Sequence, residues 1–210
     1  MPQPKDIFLD RDGTVSVEMG YIHEADLPRY ALNLGAAEGM KRLQRAGYKL
    51  VLVTNQSGVA RGYYPEHTVG MVHERLKELL RAEGVSLDAI YYCPHHAKPE
   101  GLPDTGDAGT AGRTESVPVE HLSIDCDCRK PKDGMGRRAL KDLGLDLKGS
   151  WMIGDKAADL GFAQNLGVEE ILVLTGYGQG TLEKLVSRGH PPRHVARNLN
   201  EAAEIILKAL

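Results

Sequence analysis

Three short polar clusters carry side chains that suit metal and phosphate chemistry. They are Asp10-Arg11-Asp12-Gly13-Thr14, Thr54-Asn55-Gln56-Ser57-Gly58 and Gly154-Asp155-Lys156. Two carboxylates two residues apart, with a third from another segment, are the hard oxygen ligands that Mg²⁺ prefers. A hydroxyl, an amide and a nearby lysine suit the equatorial oxygens of a phosphoryl group. Together the clusters predict a magnesium site beside a phosphoryl-binding site.

Each cluster taken alone also fits an ordinary turn or helix cap. An EF-hand is excluded, because counting from Asp10 places Val15 where its glycine belongs and Tyr21 where its glutamate belongs. The sequence contains no Gly-x-x-x-x-Gly-Lys-Ser/Thr motif, which excludes a P-loop nucleotide site. The glycine-rich run at 176–180 is expected to form a loop.

A second constellation combines the three cysteines with a histidine. Cys93 and His95 form one pair, and Cys126 and Cys128 form another after 30 intervening residues. Four soft ligands in two pairs are the number that a tetrahedral zinc site needs, and an odd number of cysteines cannot pair fully in disulfides. His96 is an alternative ligand, and three free cysteines beside a surface histidine are the alternative without a metal.

The elements that must position these groups alternate along the chain. Short apolar runs at 7–10, 49–54, 89–93, 151–154 and 171–175 predict strands that are covered on both faces. Apolar residues at spacings of three and four predict helices over 36–46 and 69–80, and three more are expected at 134–144, 156–166 and 199–209. This alternation predicts an α/β fold with a parallel sheet wrapped by helices. Ligands of such sheets bind beyond the carboxyl ends of the strands, where all three polar clusters lie.

The chain is long enough for one sizeable core, and we expect a single domain over residues 1–210. One compositional break stands out at 97–125, which holds four Gly, three Pro, two basic and six acidic residues. A loop of that length is uncommon in a compact domain. We interpret it as a long insertion whose two ends a zinc ion would join.

Composition and charge describe an ordinary globular chain. The hydrophobic fraction is 41% and the charged fraction 26%, which excludes wholesale disorder. With 26 basic and 29 acidic residues the formal net charge is −3, so no basic surface for nucleic acid is expected. No run approaches the roughly 20 apolar residues of a membrane span, and we expect no secretory signal before the first strand. We expect a cytoplasmic monomer that binds neither nucleic acid nor membranes.

Four segments resemble the signature motifs of the haloacid dehalogenase-like phosphatases. They are Asp-x-Asp-Gly-Thr at 10–14, Thr-Asn-Gln-Ser-Gly at 54–58, Cys-Arg-Lys-Pro at 128–131 and Gly-Asp-Lys at 154–156. The Cys/His pattern makes the chain similar to the histidinol-phosphatase-like branch in particular. The resemblance covers residues 6–96 and 126–176. It implies a Rossmann-like parallel sheet flanked by helices, no large cap domain and a zinc-clipped loop.

The resemblance also implies roles for individual residues. Asp10 would be the nucleophile that forms an aspartyl phosphate, and Asp12 the general acid and base. Thr54 and Lys130 would hold the transferring phosphoryl oxygens. Mg²⁺ would be bound by Asp10, Asp155 and the backbone carbonyl of Asp12, and structural Zn²⁺ by Cys93, His95, Cys126 and Cys128. The substrate-binding set would be Arg11, Glu18, Met19, Gly20, Tyr21, Asn55, Gln56, Ser57, Arg129 and Lys156.

The implied substrate is a small phosphorylated sugar. The resemblance points to removal of the C7 phosphate of D-glycero-D-manno-heptose 1,7-bisphosphate. Histidinol phosphate, or another small sugar phosphate, is the alternative substrate. A zinc-stabilised interaction module without catalysis is an alternative of another class. Met19 stands where a more polar residue is typical of the family. The 97–125 insertion is longer than the family's loop, which by the resemblance would border the side of the leaving group.

Overall fold

Six parallel strands form one sheet in the computed structural model, which describes residues 5–97 and 117–209. The strand order across the sheet is β3-β2-β1-β4-β5-β6. The strands are β1 (Asp6–Leu9), β2 (Lys49–Asn55), β3 (Ala89–Cys93), β4 (Trp151–Gly154), β5 (Glu169–Val173) and β6 (Val195–Ala196). The predicted parallel sheet is therefore confirmed.

Helices cover both faces of the sheet. They are α1 (Ala36–Arg45), α2 (Glu66–Ala82), α3 (Gly134–Leu143), α4 (Ala157–Leu166), α5 (Gly178–Ser187) and α6 (Leu199–Lys208), with short 3-10 helices at Glu24–Arg29 and Glu120–Leu122. Ile7 and Leu9 belong to the core that α1, α2 and α6 cover, whereas Phe8 packs with α3 and α4. This alternation follows from the two-residue period of a strand, and it explains why Ile7, Phe8 and Leu9 are all apolar. No described helix is long and apolar enough to cross a membrane.

The order of the strands reverses beside β1. The chain runs outward from β1 through β2 to β3, and then returns to place β4 on the other side of β1. Leu9 lies in register with Leu52 and with Ile153, so β1, β2 and β4 end at one edge. Crevices at such a reversal are the usual ligand sites of open parallel sheets.

Strand β6, helix α5 and the two 3-10 helices were not expected from the sequence. The loop prediction for 176–180 is wrong from Gly178 onward, because α5 begins at that residue. β6 has only two residues, too few for a periodic pattern, and it pairs with β5 through Leu172 and Val173. The prediction for the 97–125 insertion falls largely on 98–116, outside the described residues. Its return segment is tied back by a hydrogen bond from the Val119 amide to the Ala60 carbonyl.

Candidate active site

Asp10 and Lys130 form a buried ion pair at the carboxyl end of β1. The Lys130 ammonium donates to Asp10 Oδ1 at 2.8 Å and to the Val53 carbonyl at 2.8 Å, and it lies 2.6 Å from Asp159 Oδ1. Burial disfavours a charge on Asp10, but Lys130 and Lys156 outweigh it and hold the pKa of this carboxyl below its ordinary value. Burial also opposes the charge on Lys130, yet Asp10 and Asp159 raise its pKa. Both groups of the pair are therefore charged at neutral pH.

Asp155 completes a group of three carboxylates with Asp10 and Asp159, whose oxygens lie within 4.8 Å of one another. The Tyr177 amide donates to Asp155 Oδ2 at 2.8 Å, while Oδ1 is buried without a hydrogen-bond partner among the described residues. Burial, together with Asp10 and Asp159, raises the pKa of Asp155 to about 8. A divalent cation at Oδ1 would satisfy this oxygen and favour its ionised form. The group therefore fits Mg²⁺, which prefers carboxylate oxygens.

Two glycines allow the backbone to approach Asp155 closely. Gly13 and Gly176 have φ angles of 85° and 57°, in the left-handed region that favours glycine. A Cβ atom on either residue would overlap the Asp155 carboxylate. Gly176 belongs to the run that was expected to be a simple loop, and its function here is to leave room for this carboxylate.

Asp12 is the centre of a hydrogen-bond network. Arg11 binds its carboxylate in a bidentate manner, with Nε 2.9 Å from Oδ1 and Nη2 2.7 Å from Oδ2. The Gln56 amide donates to Asp12 Oδ2 at 2.9 Å and to Thr54 Oγ1 at 2.9 Å. Tyr64, which was not predicted as a site residue, donates to Gln56 Oε1 at 3.1 Å. The first two polar clusters of the sequence are thus joined through Gln56.

Above these groups lies a cleft of about 180 Å³. Its lining brings together most of the predicted site residues, and Tyr64, Ala158 and Tyr177 complete it. Asp10, Thr54 and Asp155 are not among the lining residues, but each contacts one of them: Lys130, Gln56 and Tyr177 respectively. The predicted residues in the lining are Asp12, Glu18, Gly20, Tyr21, Asn55, Gln56, Ser57, Arg129, Lys130 and Lys156.

Glu18 and Lys156 pair across one side of the cleft. The Lys156 ammonium lies 3.1 Å from Glu18 Oε2, and the Gly20 amide donates to Glu18 Oε1 at 2.8 Å. Burial raises the pKa of Glu18. The Lys156 ammonium also lies 5.2 Å from the centre of the Tyr177 ring. This side of the cleft therefore offers an anion, a cation and an aromatic face together.

Two predicted substrate contacts are placed elsewhere by the structure. The Arg11 side chain is fully buried and bound to Asp12, Gln56 and His73, so only its backbone could reach a ligand. The Met19 side chain packs against the main hydrophobic core instead of lining the cleft.

Asp159 received no role from the sequence, although it lies four residues after Asp155 at the start of α4. Its Oδ1 contacts Lys130, and its Oδ2 accepts the Lys156 amide at 2.9 Å. Burial raises the pKa of Asp159. The available signal was its place at the third position of α4, where a carboxylate can accept a hydrogen bond from the backbone amide of the N-cap residue Lys156. Asp159 is thus a second carboxylate partner of Lys130, besides Asp10.

The Cys/His cluster forms as the spacing predicts. Cys93 Sγ lies 3.5 Å from Cys126 Sγ, Cys126 Sγ lies 3.3 Å from Cys128 Sγ, and His95 Nδ1 lies 3.3 Å from Cys128 Sγ. These separations exceed a disulfide bond and approach the edges of a tetrahedron around zinc, about 3.7 Å for Zn–S bonds of about 2.3 Å. The hydrogen bond from Cys93 lowers the pKa of the Cys128 thiol to about 5 and raises that of Cys93. The cluster therefore fits a structural zinc ion with no open position.

The Cys/His cluster adjoins the cleft through the residues that follow Cys128. Arg129 donates to the His95 carbonyl at 3.4 Å. Asn55 and Lys130 exchange two hydrogen bonds, from the Lys130 amide to Asn55 Oδ1 at 3.0 Å and from Asn55 Nδ2 to the Lys130 carbonyl at 3.1 Å. These contacts hold Arg129 and Lys130 against the end of β2.

Comparison with known proteins identifies the family. The chain matches the HAD-hydrolase-like family over residues 127–202. It is 42% identical over 174 residues to the D-glycero-beta-D-manno-heptose-1,7-bisphosphate 7-phosphatase of Haemophilus ducreyi, which covers 82% of this chain and 84% of that protein. It is 41% identical over 207 residues to the D-glycero-D-manno-heptose-1,7-bisphosphate 7-phosphatase of Thermosynechococcus vestitus, with coverage of 98% and 96%.

A solved structure shows the same fold. It is a D,D-heptose 1,7-bisphosphate phosphatase from B. bronchiseptica complexed with magnesium and phosphate, with a TM-score of 0.73 and 31% sequence identity. The match covers 98% of this chain and 99% of that one. Sequence, fold and the arrangement of the three polar clusters thus agree, and the chain belongs to the haloacid dehalogenase-like phosphatases.

Proposed function

We propose that this phosphatase removes the C7 phosphate of D-glycero-D-manno-heptose 1,7-bisphosphate. The observation that carries the chemistry is the buried Asp10–Lys130 pair next to Asp12, at the edge where β1, β2 and β4 end. The substrate is inferred from the relatives, which are heptose-1,7-bisphosphate 7-phosphatases and align with most of this chain.

The reaction proceeds in two steps at Asp10. Its carboxylate attacks phosphorus and the bond from phosphorus to O7 of the sugar breaks, while Asp12 gives its proton to O7. A water molecule then attacks the phosphorus of the aspartyl phosphate and gives a proton to Asp12. Phosphate leaves, and the carboxylate of Asp10 and the proton on Asp12 are both restored.

Lys130 and Thr54 stabilise the transferring group in both steps. The Lys130 ammonium is charged and buried, so its field on a phosphoryl oxygen is weakly screened. Thr54 Oγ1 already accepts a hydrogen bond from Gln56, which leaves its own proton for a phosphoryl oxygen. Asp10, Asp155 and the backbone carbonyl of Asp12 would hold Mg²⁺, which would supply further positive charge against these oxygens.

We also propose a structural zinc ion at the Cys/His cluster. Zn²⁺ held by Cys93, His95, Cys126 and Cys128 would fix the segment that carries Arg129 and Lys130. It would also join the two ends of the 97–125 insertion. Metal analysis of purified protein should return one zinc per chain, with Mg²⁺ needed separately for activity.

Phosphate release from a panel of esters tests the substrate. The panel contains the heptose bisphosphate as its α and β anomers, histidinol phosphate, and hexose 6-phosphates, each with and without Mg²⁺. We expect kcat/KM to be highest for the heptose bisphosphate, and phosphate to come from C7. A higher kcat/KM for histidinol phosphate would overturn the substrate while leaving the chemistry intact. Failure to hydrolyse any ester would overturn both.

Arg129 is the candidate for binding the phosphate that does not react. Its planar guanidinium suits bidentate contact with phosphate oxygens, and it lines the cleft. Arg129→Ala should raise KM for the bisphosphate at least ~10-fold more than KM for a small monophosphate ester. Arg137→Ala, on an exposed side chain of α3, is the matched control and should change neither value. Equal losses on both esters would place Arg129 with the transferring group instead.

A further inference from the structure

The hydrogen bonds around Asp12 distinguish its two carboxyl oxygens. Oδ2 accepts from Arg11 Nη2 and from Gln56 Nε2, which occupies both of its lone pairs. Oδ1 accepts from Arg11 Nε and from no other described residue. One lone pair of Oδ1 is therefore left, and Asp12 lines the cleft. This is the one position where the carboxyl group can carry or take up a proton without breaking the network.

The side-chain amide of Gln56 is held so that its nitrogen faces Asp12 and Thr54. Its oxygen accepts from Arg11 Nη2 at 2.9 Å and from the Tyr64 hydroxyl at 3.1 Å, and its nitrogen donates to Asp12 and Thr54. The two donors on one side and two acceptors on the other fix which way the amide points. All four hydrogen-bonding positions of the amide are used, which leaves none for substrate.

Arg11 is fixed from behind by His73. The guanidinium is 2% exposed, and its Nη1 lies 3.4 Å from His73 Nε2. Burial, with the positive charge of Arg11, lowers the pKa of His73 to about 3. The imidazole is thus neutral and can accept the Nη1 hydrogen, so it satisfies the guanidinium without repelling it. Such a buried fork has little freedom to turn.

We propose that Arg11 and Gln56 are positioning residues that orient Asp12, so that proton transfer to and from the substrate takes place at Oδ1. This inference rests on the proposed function, since it assumes that Asp12 is the general acid and base. It moves two residues from the predicted substrate-binding set to a role that acts through Asp12. An amide or a guanidinium that only bound substrate would not be saturated by protein groups.

The dependence of the rate on the leaving group tests this role. A sugar alkoxide needs a proton as it leaves, whereas p-nitrophenolate leaves readily without one. The value of kcat/KM reports only the steps up to the first phosphoryl transfer, so the later attack of water does not obscure it. We therefore compare kcat/KM for the heptose bisphosphate with kcat/KM for p-nitrophenyl phosphate in each variant.

Arg11→Lys keeps the charge but loses the fork, and Gln56→Met keeps the length but loses the amide. Each should lower kcat/KM for the sugar phosphate at least ~10-fold more than for p-nitrophenyl phosphate, a part of the ~10²-fold or larger effect of acid catalysis. The matched control is Arg42→Lys, because Arg42 binds Asn200 and Glu204 far from the cleft. In Arg42→Lys the ratio of kcat/KM for the sugar phosphate to kcat/KM for p-nitrophenyl phosphate should equal that of the wild type.

Asp12→Asn separates failure of this inference from failure of the proposed function. If Asp12→Asn shifts the ratio and both positioning variants leave it unchanged, the positioning role is overturned. If Asp12→Asn itself leaves the ratio unchanged, the general acid is wrong. Turnover of p-nitrophenyl phosphate shows in the same experiment that a variant is folded. If only one of Arg11→Lys and Gln56→Met folds, that variant suffices for the test.

Discussion

Strand β1 begins with one buried aspartate, Asp6, and is followed directly by another, Asp10, and the two have opposite surroundings. Asp10 faces Lys130 at 2.8 Å, and the pKa of its carboxyl is lowered. Asp6 has only the Ser150 hydroxyl within reach, at 3.5 Å from Oδ2, and its Oδ1 has no hydrogen-bond partner among the described residues. Burial outweighs the more distant Lys49 and raises the pKa of Asp6 to about 7.

Burial alone therefore does not decide whether the pKa of an aspartate is raised or lowered in this protein. Both carboxyl groups are buried, at 0% exposure for Asp6 and 4% for Asp10. The difference lies in the partner, because a cation in direct contact offsets the cost of removing a charge from water. Asp10 has such a cation in Lys130, whereas Asp6 has no cation in direct contact among the described residues.

The same substitution at the two ends of β1 gives the largest contrast. Asp10→Asn should lower kcat at least ~10⁴-fold, because an amide cannot attack phosphorus, and loss of a nucleophile commonly costs this much or more. Asp6→Asn should leave kcat within about 2-fold of the wild type, since the two sites lie at opposite ends of the strand. Steady-state turnover of both variants measures this. A comparable loss in Asp6→Asn would mean that the two ends are coupled.

Removing the cation should make Asp10 resemble Asp6. Lys130→Met leaves Asp10 and Asp159 buried without their ion pair. We expect kcat to fall at least ~10²-fold, and the free energy of unfolding by about 3 kcal/mol at neutral pH. Denaturant unfolding and turnover check both values, with Lys41→Met on the exposed face of α1 as control. Unchanged stability would show that Lys130 is not what keeps the Asp10 carboxylate charged.

The Cys/His cluster extends the comparison to a site where a metal would be the partner. His95→Asn should remove zinc and lower the melting temperature by about 5 °C, since about 1 kcal/mol corresponds to about 2–4 °C at this chain length. His96→Asn is the matched control, because Nδ1 of His95 and not of His96 lies in the cluster. Equal zinc contents in the two variants and the wild type would contradict the assigned ligand set.

The smallest effect concerns the stability contributed by Asp6. Its folded pKa of about 7 lies above its unfolded value of 3.8. The folded state therefore binds more protons between these values, and this contribution to stability is lost as the pH rises from about 4 to about 7. Asp6→Asn has no charge to bury, so its free energy of unfolding should exceed that of the wild type by about 1–2 kcal/mol above pH 7. At pH 4 this difference should be smaller.

Denaturant unfolding of both proteins across this pH range measures the difference. Glu169→Gln, at the exposed start of β5, serves as a control and should track the wild type. A constant difference between Asp6→Asn and the wild type at every pH would mean that Asp6 titrates normally in the folded protein.

Much of the fold could be predicted from local patterns. The five longer strands and five helices follow from apolar periodicity, because each element must bury a continuous apolar face whatever its neighbours are. The two-residue β6 has no room for such a pattern. The run that begins α5 is rich in glycine, which has a low helix propensity, so its helix depends on packing against β5.

The types and spacing of residues predicted a magnesium site beside a phosphoryl-binding site, whereas the roles of single residues came from the family resemblance. Carboxylates, a lysine and a hydroxyl after successive strands must meet at one edge of a parallel sheet, as Asp10, Thr54 and Asp155 do. The Cys/His spacing likewise determined its own cluster, because ligands two residues apart on an extended chain project to the same side.

Only the tertiary structure decided which side chains of the site bind to one another. Arg11 turns inward to Asp12 and His73, and Gln56 spends its amide within the protein, because the space behind Asp12 is closed by α2 and the segment after β2. Asp159 reaches Lys130 because α4 begins directly beside the active-site edge. The direction of a side chain depends on which neighbours fill the space around it, and those neighbours come from distant parts of the chain.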